Sequence, residues 1–362
     1  MSTIKVNKIE NTSTTDGGIS IDNSGHVTVD GQQLPSAGPL SNRNLIINGA
    51  MQVDQRGTST GITTANYYAV DRMRFSEVSL GTAQFTREQS TDAPDGFSSS
   101  LKVTTSTAEG SVAAADAYRP LNYRIEGQDL QQLQYGTSGA KSLTLSFYVK
   151  SSVTGTYGLT FARIETQDRL ITATYNISSA NTWEYKTITI PGDTSSSITN
   201  DNTKRFEIQW SGGSGTDRTA TDTSGSWTNL VSSGYAFGHS SSVQLQNTLN
   251  STWQITGVQL EVGEKATPFE HRSFGEELVR CQRYYTKGYF RSRLDLNSQA
   301  IAEFPIYFKQ SMRSTPSLSA TASLGTLSSF TNEGFGTEGG YIDFSAALNQ
   351  NYAANWEANA EL

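Results

Sequence analysis

WQITGVQLEVGEKATPFEHRSFGEELVRCQRYY, residues 253–285, joins a strand-like pattern to one short helical pattern. Trp253 and Ile255 alternate with polar residues, Gly257 interrupts, and Val258, Leu260 and Val262 resume on the opposite parity. An apolar face that changes parity by one residue marks a strand bent by a β-bulge, because the extra residue re-aims every side chain after it. After Pro268, Ser273 and Glu276 have the spacing of a capping box, in which the serine hydroxyl and the glutamate satisfy backbone N–H groups at a helix start. Phe274, Leu278, Cys281 and Tyr285 recur at helical spacing on one stripe, and Glu276 and Arg280 form an i, i+4 pair. The stretch predicts the last strand of a β domain followed by a helix packed on its sheet.

Upstream, the same period-two logic recurs. Leu143, Leu145, Phe147 and Val149 alternate with Ser142, Thr144, Ser146 and Lys150, and Tyr157, Leu159 and Phe161 repeat the pattern after Gly155. Further strands are predicted at 171–175, 185–190, 206–210 and 242–246, a spacing suited to a two-sheet sandwich of jelly-roll type. Residues 211–226, almost all Gly, Ser, Thr and Asp, read as a long exposed loop.

Residues 1–41 hold only short alternating pieces, Ile4 and Val6, Ile19 and Ile21, Val27 and Val29, each bounded by a turn. Strands this short build no core alone, so their apolar residues are expected to bury against other chains. The LPSAGP run at 34–39 reads as a linker. Past the helix, residues 289–362 read as a small β unit closing on aromatics and glycine turns.

Charged residues make up 17% of the 362 residues, against about 25% in ordinary globular chains. Ser, Thr, Asn, Gln and 32 glycines fill the space, and 15 Phe, 16 Tyr and 5 Trp supply a core that disordered chains lack. The net charge of −7 has no basic run within it, which excludes a dedicated nucleic-acid binder. No apolar run reaches membrane-spanning length, and the first residues lack a secretory pattern. Cys281, the single cysteine, lies on the helix stripe and reads as a buried thiol.

Several of these segments resemble one family. Residues 253–285 are similar to the end of the carbohydrate-binding-module-like domain of bacteriophage tail-fibre and virion-appendage proteins, with W-x-I-x-x-V-Q-L-E-x-G, then P-F-E, R-S and C-x-R-Y-Y. NLIINGAMQVDQRGTS (44–59) resembles the opening of that domain, and YYAVDRMRF (67–75) its second landmark, with Met73 where a tryptophan is more usual. MSTIKVNKIENTS (1–13) resembles appendage N-termini from phages of marine bacteria. Phe304-Pro305 with Met312, Arg313 and Pro316, and the ending WEANAEL (356–362), resemble elements that follow the module. The resemblance implies an all-β chain with an N-terminal virion attachment arm and linker (1–41), a jelly roll with trailing helix (42–288) and a C-terminal β tip domain (289–362).

It implies a virion protein made in the host cytoplasm, assembled as a homotrimer and joined to other virion proteins through its arm. The function expected is adhesion of a tail fibre or projecting fibre to host polysaccharide or lipopolysaccharide, without membrane insertion or nucleic-acid binding. The alternatives are a non-adhesive capsid-decorating fibre or tail adaptor and, behind these, a polysaccharide depolymerase. No motif carries catalysis. His26, His239 and His271 show no metal-ligand spacing, Gly213-Ser214-Gly215 lacks the strand-to-helix context of a nucleophile elbow, and Glu261 and Glu264 have no further acid in register. No cofactor is expected; a structural Ca2+ would suit a jelly roll, although no ligand loop has recognisable spacing.

Sugar binding needs exposed aromatic faces with polar neighbours. Trp210, Trp227 and Tyr235, around the Gly/Ser/Thr stretch, and Tyr341 and Tyr352, in the tip, are the candidates. Trp210 ends the alternating Phe206, Ile208 series and reads first as core, whereas Trp227 follows small polar residues. Ile4, Val6, Ile19, Ile21 and Trp356 are the candidates for contacts between subunits.

Overall fold

The computed structural model describes residues 8–10, 18–21, 27–29, 32–33, 41–220, 225–230, 238–239, 242–294, 300–324, 329–346 and 350–362. Two antiparallel sheets form the main body. One runs Glu184–Ile190, Leu143–Ser151, Thr252–Val262, Ser100–Thr107, Gln84–Ser90 and Ser59–Ile62 in spatial order. The other is eight-stranded among the described residues, and its centre is Arg169–Ile177, Gly155–Arg163, Lys204–Trp210, Ala117–Glu126 and Arg74–Val78. Alternation explains how they meet. Leu143, Leu145, Phe147 and Val149 from one sheet and Tyr157, Leu159, Phe161, Ile208 and Trp210 from the other share a single buried core. Phe147 meets Trp210 edge-on at 5.8 Å and Tyr175 at 5.3 Å across the sandwich.

The predicted bulge is present. Ser146 pairs with Gln259 and Tyr148 with Thr256, so the strand Thr252–Val262 carries one residue more than its neighbour there. Gly257 absorbs it with φ +60°, a left-handed conformation that costs an L side chain about 1–2 kcal/mol. Trp253, Ile255, Val258, Leu260 and Val262 consequently all point inward.

The helix spans Phe274–Gln282, and the Ser273 hydroxyl accepts the Glu276 N–H at 3.3 Å. One member of the expected stripe differs. Phe274 is exposed, whereas Cys281 and Tyr285 are buried and Leu278 is half-buried, with Glu277 and Tyr284 buried beside them. The reason is polar: the Glu277 carboxylate accepts the Asn48 N–H and an Arg272 N–H, tying the helix to the turn at 47–50. That turn is locked in place, since a Cβ on Gly49 would lie 2.2 Å from the Val258 carbonyl oxygen.

Two other expectations change. Residues 242–246 are not a strand; a short 3-10 turn runs Leu245–Asn247. Ser211, Gly212, Gly213, Ser214 and Gly215 are buried, with Gly213–Ser214 hydrogen-bonded to the strand Ala117–Glu126, so the polar stretch does not start as an exposed loop. Small residues are needed there because Tyr118 and Pro120 lie against Gly212.

Among the described residues, those after the helix form two three-stranded sheets, ordered Tyr285–Leu294, Gln350–Asn359, Ser317–Leu324 and Ala300–Tyr307, Gly339–Ala346, Ser329–Glu333. Phe290, Ile306, Phe308, Met312, Ile342 and Trp356 form their own core cluster. This unit is tied to the sandwich by a buried charged knot. Glu361 pairs with Arg72 and with Arg56 at 3.1 Å, Arg56 pairs with Asp71 at 3.1 Å, and the Arg72 guanidinium lies 3.5 Å from the Tyr284 ring centroid. Arg283 and Tyr284 donate to Glu126, and the Tyr67 hydroxyl donates to the Leu362 carbonyl at 3.0 Å.

The short strands Lys8–Glu10, Gly18–Ile21, Val27–Val29 and Gln32–Gln33 form a separate antiparallel sheet, on which Ile19 and Ile21 are exposed. Ile4 and Val6 lie outside the described residues.

Candidate functional site

The outer face of the six-stranded sheet carries a continuous row of aromatic rings. Tyr148 and Lys150 occupy the outward parity of a strand whose inward parity is fully apolar, and register sets Tyr185 opposite Tyr148. Their rings lie 4.9 Å apart, and Tyr185 is 47% exposed. Phe97 arrives from the turn closed by its N–H to the Pro94 carbonyl and packs over the glycine of the bulge, 5.6 Å from Tyr148. Phe269 and His271, from the segment before the helix, continue the row at 5.0 and 5.3 Å from Phe97. The row therefore depends on the bulge, since any side chain on Gly257 would collide with Phe97.

Hydrogen-bonding groups flank the rings. Asp92 pairs with Lys150 and accepts from the Trp183 indole N–H at 3.2 Å and from Gln254 at 3.2 Å, while Lys150 sits 5.2 Å above the Trp183 ring. The Lys150 ammonium beside Asp92 holds its carboxyl below the usual range, so this polar rim stays charged at neutral pH. Burial raises the Tyr185 hydroxyl, which also hydrogen-bonds Ser146, and it remains a neutral donor. Tyr185 and His271 are exposed and Tyr148, Phe97, Phe269 and Trp183 half-buried, and partly exposed rings beside a charged and amide-bearing rim are suited to a ligand with apolar C–H faces and hydroxyl edges.

The residues singled out from sequence fare differently. Trp210 is fully buried against Phe147 and cannot meet a ligand. Trp227 packs half-buried on the sandwich core, edge-on to Tyr135 at 6.0 Å and Phe206 at 6.2 Å, and its indole N–H is taken by the Pro191 carbonyl at 2.8 Å. Tyr341 is exposed on the outer unit, on a strand paired with the one bearing the still more exposed Tyr307. Tyr235, and the side chain of Tyr352, lie outside the described residues. Trp356 is buried in its own chain, its indole lying over Gly288 and 6.1 Å from Phe308, so it does not stand open to seal a contact between subunits. Tyr148, Tyr185, Phe97 and Trp183 were not anticipated. Their one local signal is a tyrosine on the outward parity of an otherwise apolar-in strand.

Glu261, weighed for catalysis, and Glu270 beyond it have structural duties. Glu261 is buried and accepts the Thr267 N–H and hydroxyl at 2.8 and 2.7 Å, and Glu270 accepts the Asn44 N–H at 3.0 Å. Among the described residues, no group of three or more His, Cys, Asp or Glu side chains could hold a metal ion.

No protein-family model matches the chain, and no curated protein matches it. Solved structures with some likeness include the enzymatically active domain of bacteriophage CBA120 tailspike protein 4, at 12% identity and TM-score 0.31, covering 60% of this chain and 21% of that one. This chain thus spans about a fifth of that tailspike structure. The CBM22-1 xylan-binding domain from Paenibacillus barcinonensis Xyn10C is 12% identical, with TM-score 0.31, covering 64% of this chain and 100% of its own. The CBM22-1-CBM22-2 tandem domain of the same protein is 10% identical, with TM-score 0.31, covering 90% and 98%. Likenesses at this level leave fold and site to rest on the geometry described above.

Proposed function

We propose that this chain is a bacteriophage virion appendage whose sandwich adheres to cell-surface glycan, with the aromatic row on the six-stranded sheet as the contact surface. The observation that carries the reading is the row itself: Tyr185, Tyr148, Phe97 and His271, successive centroids 4.9, 5.6 and 5.3 Å apart, with Asp92, Lys150 and Trp183 at its side. Sugars stack their C–H faces on such rings and exchange hydroxyl hydrogen bonds with such rims. The virion setting rests on the segments at 44–59, 67–75 and 253–285 and their resemblance to tail-fibre modules. In this reading the sandwich is a jelly roll of carbohydrate-binding type (42–288), carried on an attachment arm (1–41) and followed by a tip (289–362).

A homotrimer fits the exposed Ile19 and Ile21, which sit on strands too short to build a core and need partner chains to cover them. Weak contacts repeated on several copies then give avidity without a high-affinity single site. The protein binds polysaccharide and does not cut it. Glu207, on the opposite sheet, is driven up by burial but more strongly down by Arg124 and Lys204, to about 2, so it is no proton donor at neutral pH.

The test is adsorption of labelled, purified protein to a panel of bacteria before and after their surface polysaccharide is stripped. Saturable binding that disappears on stripping, and that falls at least about tenfold in Tyr185→Ala with unchanged thermal stability, is expected. A folded protein that adsorbs to none of the panel would overturn adhesion and favour a decorating or adaptor role.

A further inference from the structure

The opposite face of the sandwich holds a cleft of about 240 Å3 whose lining residues, Ala65 apart, are all polar or charged. Its origin is a second irregularity. On the strand Ala117–Glu126, Arg119 pairs with Ser76 and Asn122 with Arg74, so an extra residue is accommodated at Pro120-Leu121. The shift turns Arg119, Asn122 and Arg124 all outward while Tyr118, Leu121 and Tyr123 remain in the core. Glu207 and Gln209, on the outward parity of Lys204–Trp210, complete the floor.

The cleft is cationic in a chain of net charge −7. Four positive side chains, Arg74, Arg119, Arg124 and Lys204, line it against two carboxylates, Glu77 and Glu207. Glu207 is matched already, by Arg124 and Lys204, each at 2.8 Å. Arg74 is not: its guanidinium makes one hydrogen bond, to the Ser76 hydroxyl at 2.8 Å, and pairs with no carboxylate among the described residues. Beside it, Asn122 is 1% exposed, and its side-chain carbonyl oxygen has no hydrogen-bond partner among the described residues. Burial lowers the pKa of Arg74, a charge held at a cost that an incoming anion would relieve.

We propose that this cleft is a second, separate binding site, which takes the acidic group of an anionic saccharide residue, a carboxylate or sulfate, on Arg74 while sugar hydroxyls donate to Asn122 and Glu77. The mixture of groups selects this class. A polyphosphate chain needs clustered cations and is repelled by two carboxylates, whereas a sugar with one negative group offers donors to the carboxylates and an acceptor to the arginine. The volume suits one substituted sugar residue, being below the roughly 300–1,000 Å3 of enclosed small-molecule pockets. The inference stands apart from the aromatic row, which lies on the other sheet.

The experiment is calorimetric titration of the full chain with oligogalacturonate, hyaluronan and chondroitin sulfate oligosaccharides, each beside its carboxyl-reduced or desulfated counterpart, with inorganic phosphate and a DNA oligonucleotide as further arms. At least one acidic oligosaccharide is expected to bind about tenfold more tightly than its neutralised form, the value of one charge-assisted contact of roughly 1.4 kcal/mol. Arg74→Gln should erase that preference while leaving thermal unfolding unchanged, and Arg74→Lys should restore part of it. Tyr185→Ala should leave the preference intact. Equal affinity for acidic and neutralised forms, a preference that survives Arg74→Gln, equal binding of DNA, or no binding by any acidic oligosaccharide would each overturn the proposal.

Discussion

Replacing Glu361 with Gln should loosen the join between the sandwich and the outer β unit, and its magnitude can be worked from the knot. Arg72 is 1% exposed, lies against the rings of Tyr284 and Tyr123, and has Glu361 as its carboxylate partner. Burial alone would lower the Arg72 pKa, but Glu361 and the surrounding tyrosines outweigh it and raise it. Removing one member of a buried pair costs about 3–5 kcal/mol because the other charge stays buried. Here part of that is retained. The Arg124 carbonyl still accepts from Arg72 at 2.9 Å, the Tyr284 face still lies 3.5 Å away, and a glutamine can keep one hydrogen bond. We therefore expect Glu361→Gln to cost about 2–3 kcal/mol in urea unfolding followed by tryptophan fluorescence. Arg72→Met should cost a similar amount, and the double variant less than the sum by roughly 2 kcal/mol, since the second change removes the stranded charge left by the first. Additivity within about 0.5 kcal/mol would refute the argument, because it would mean that the two side chains do not depend on each other.

Gly257→Ala should destabilise by about 2 kcal/mol, from the left-handed backbone and from a Cβ 2.7 Å from the Phe97 ring, and Phe97→Ala should recover part of that loss in thermal melts. Trp210→Ala should cost about 3–5 kcal/mol without a specific effect on adsorption per folded molecule, as expected of a core residue. Asp71 has its pKa raised by burial, against Arg56 and Gln55, from 3.8 to about 6. The folded state therefore holds this proton more tightly, and the associated stability is fully present below about pH 4 and is lost as pH rises through about 6. Asp71→Asn should accordingly gain on the native chain by on the order of 2–3 kcal/mol between pH 4 and pH 7, and a pH-independent difference in urea unfolding would contradict this.

Much of the architecture is legible along the chain. The alternation of Leu143, Leu145, Phe147 and Val149 predicts a one-sided strand, the parity change at Gly257 predicts the bulge, and Ser273 with Glu276 predicts the helix start. The helix shows where such reading stops. Hydrophobic periodicity puts Phe274 on the buried stripe, yet Glu277 is buried instead, because Asn48 and Arg272, 229 and five residues away, supply the partners that make burying a carboxylate tolerable. Trp210 and Trp227 differ in the same way: one closes the core, and the other lies half-buried with its N–H on Pro191.

Local period, turn chemistry and capping act over a few residues, so they can be read from neighbours in the chain, and with them the all-β class, the short helix and most strands. The two candidate surfaces depend on contacts between distant segments. Tyr185 meets Tyr148 through strand register, Phe97 reaches them from a loop across the bulge, and Arg74 meets Asn122 because an irregularity at Pro120-Leu121 turns three polar side chains to one face. The residues of the 44–59, 67–75 and 253–285 motifs likewise acquire their meaning only when Arg56, Asp71, Arg72 and Tyr284 converge near Glu361. Pairing energies of this kind exist only once the chain has closed on itself, and no local pattern encodes which distant partner will arrive.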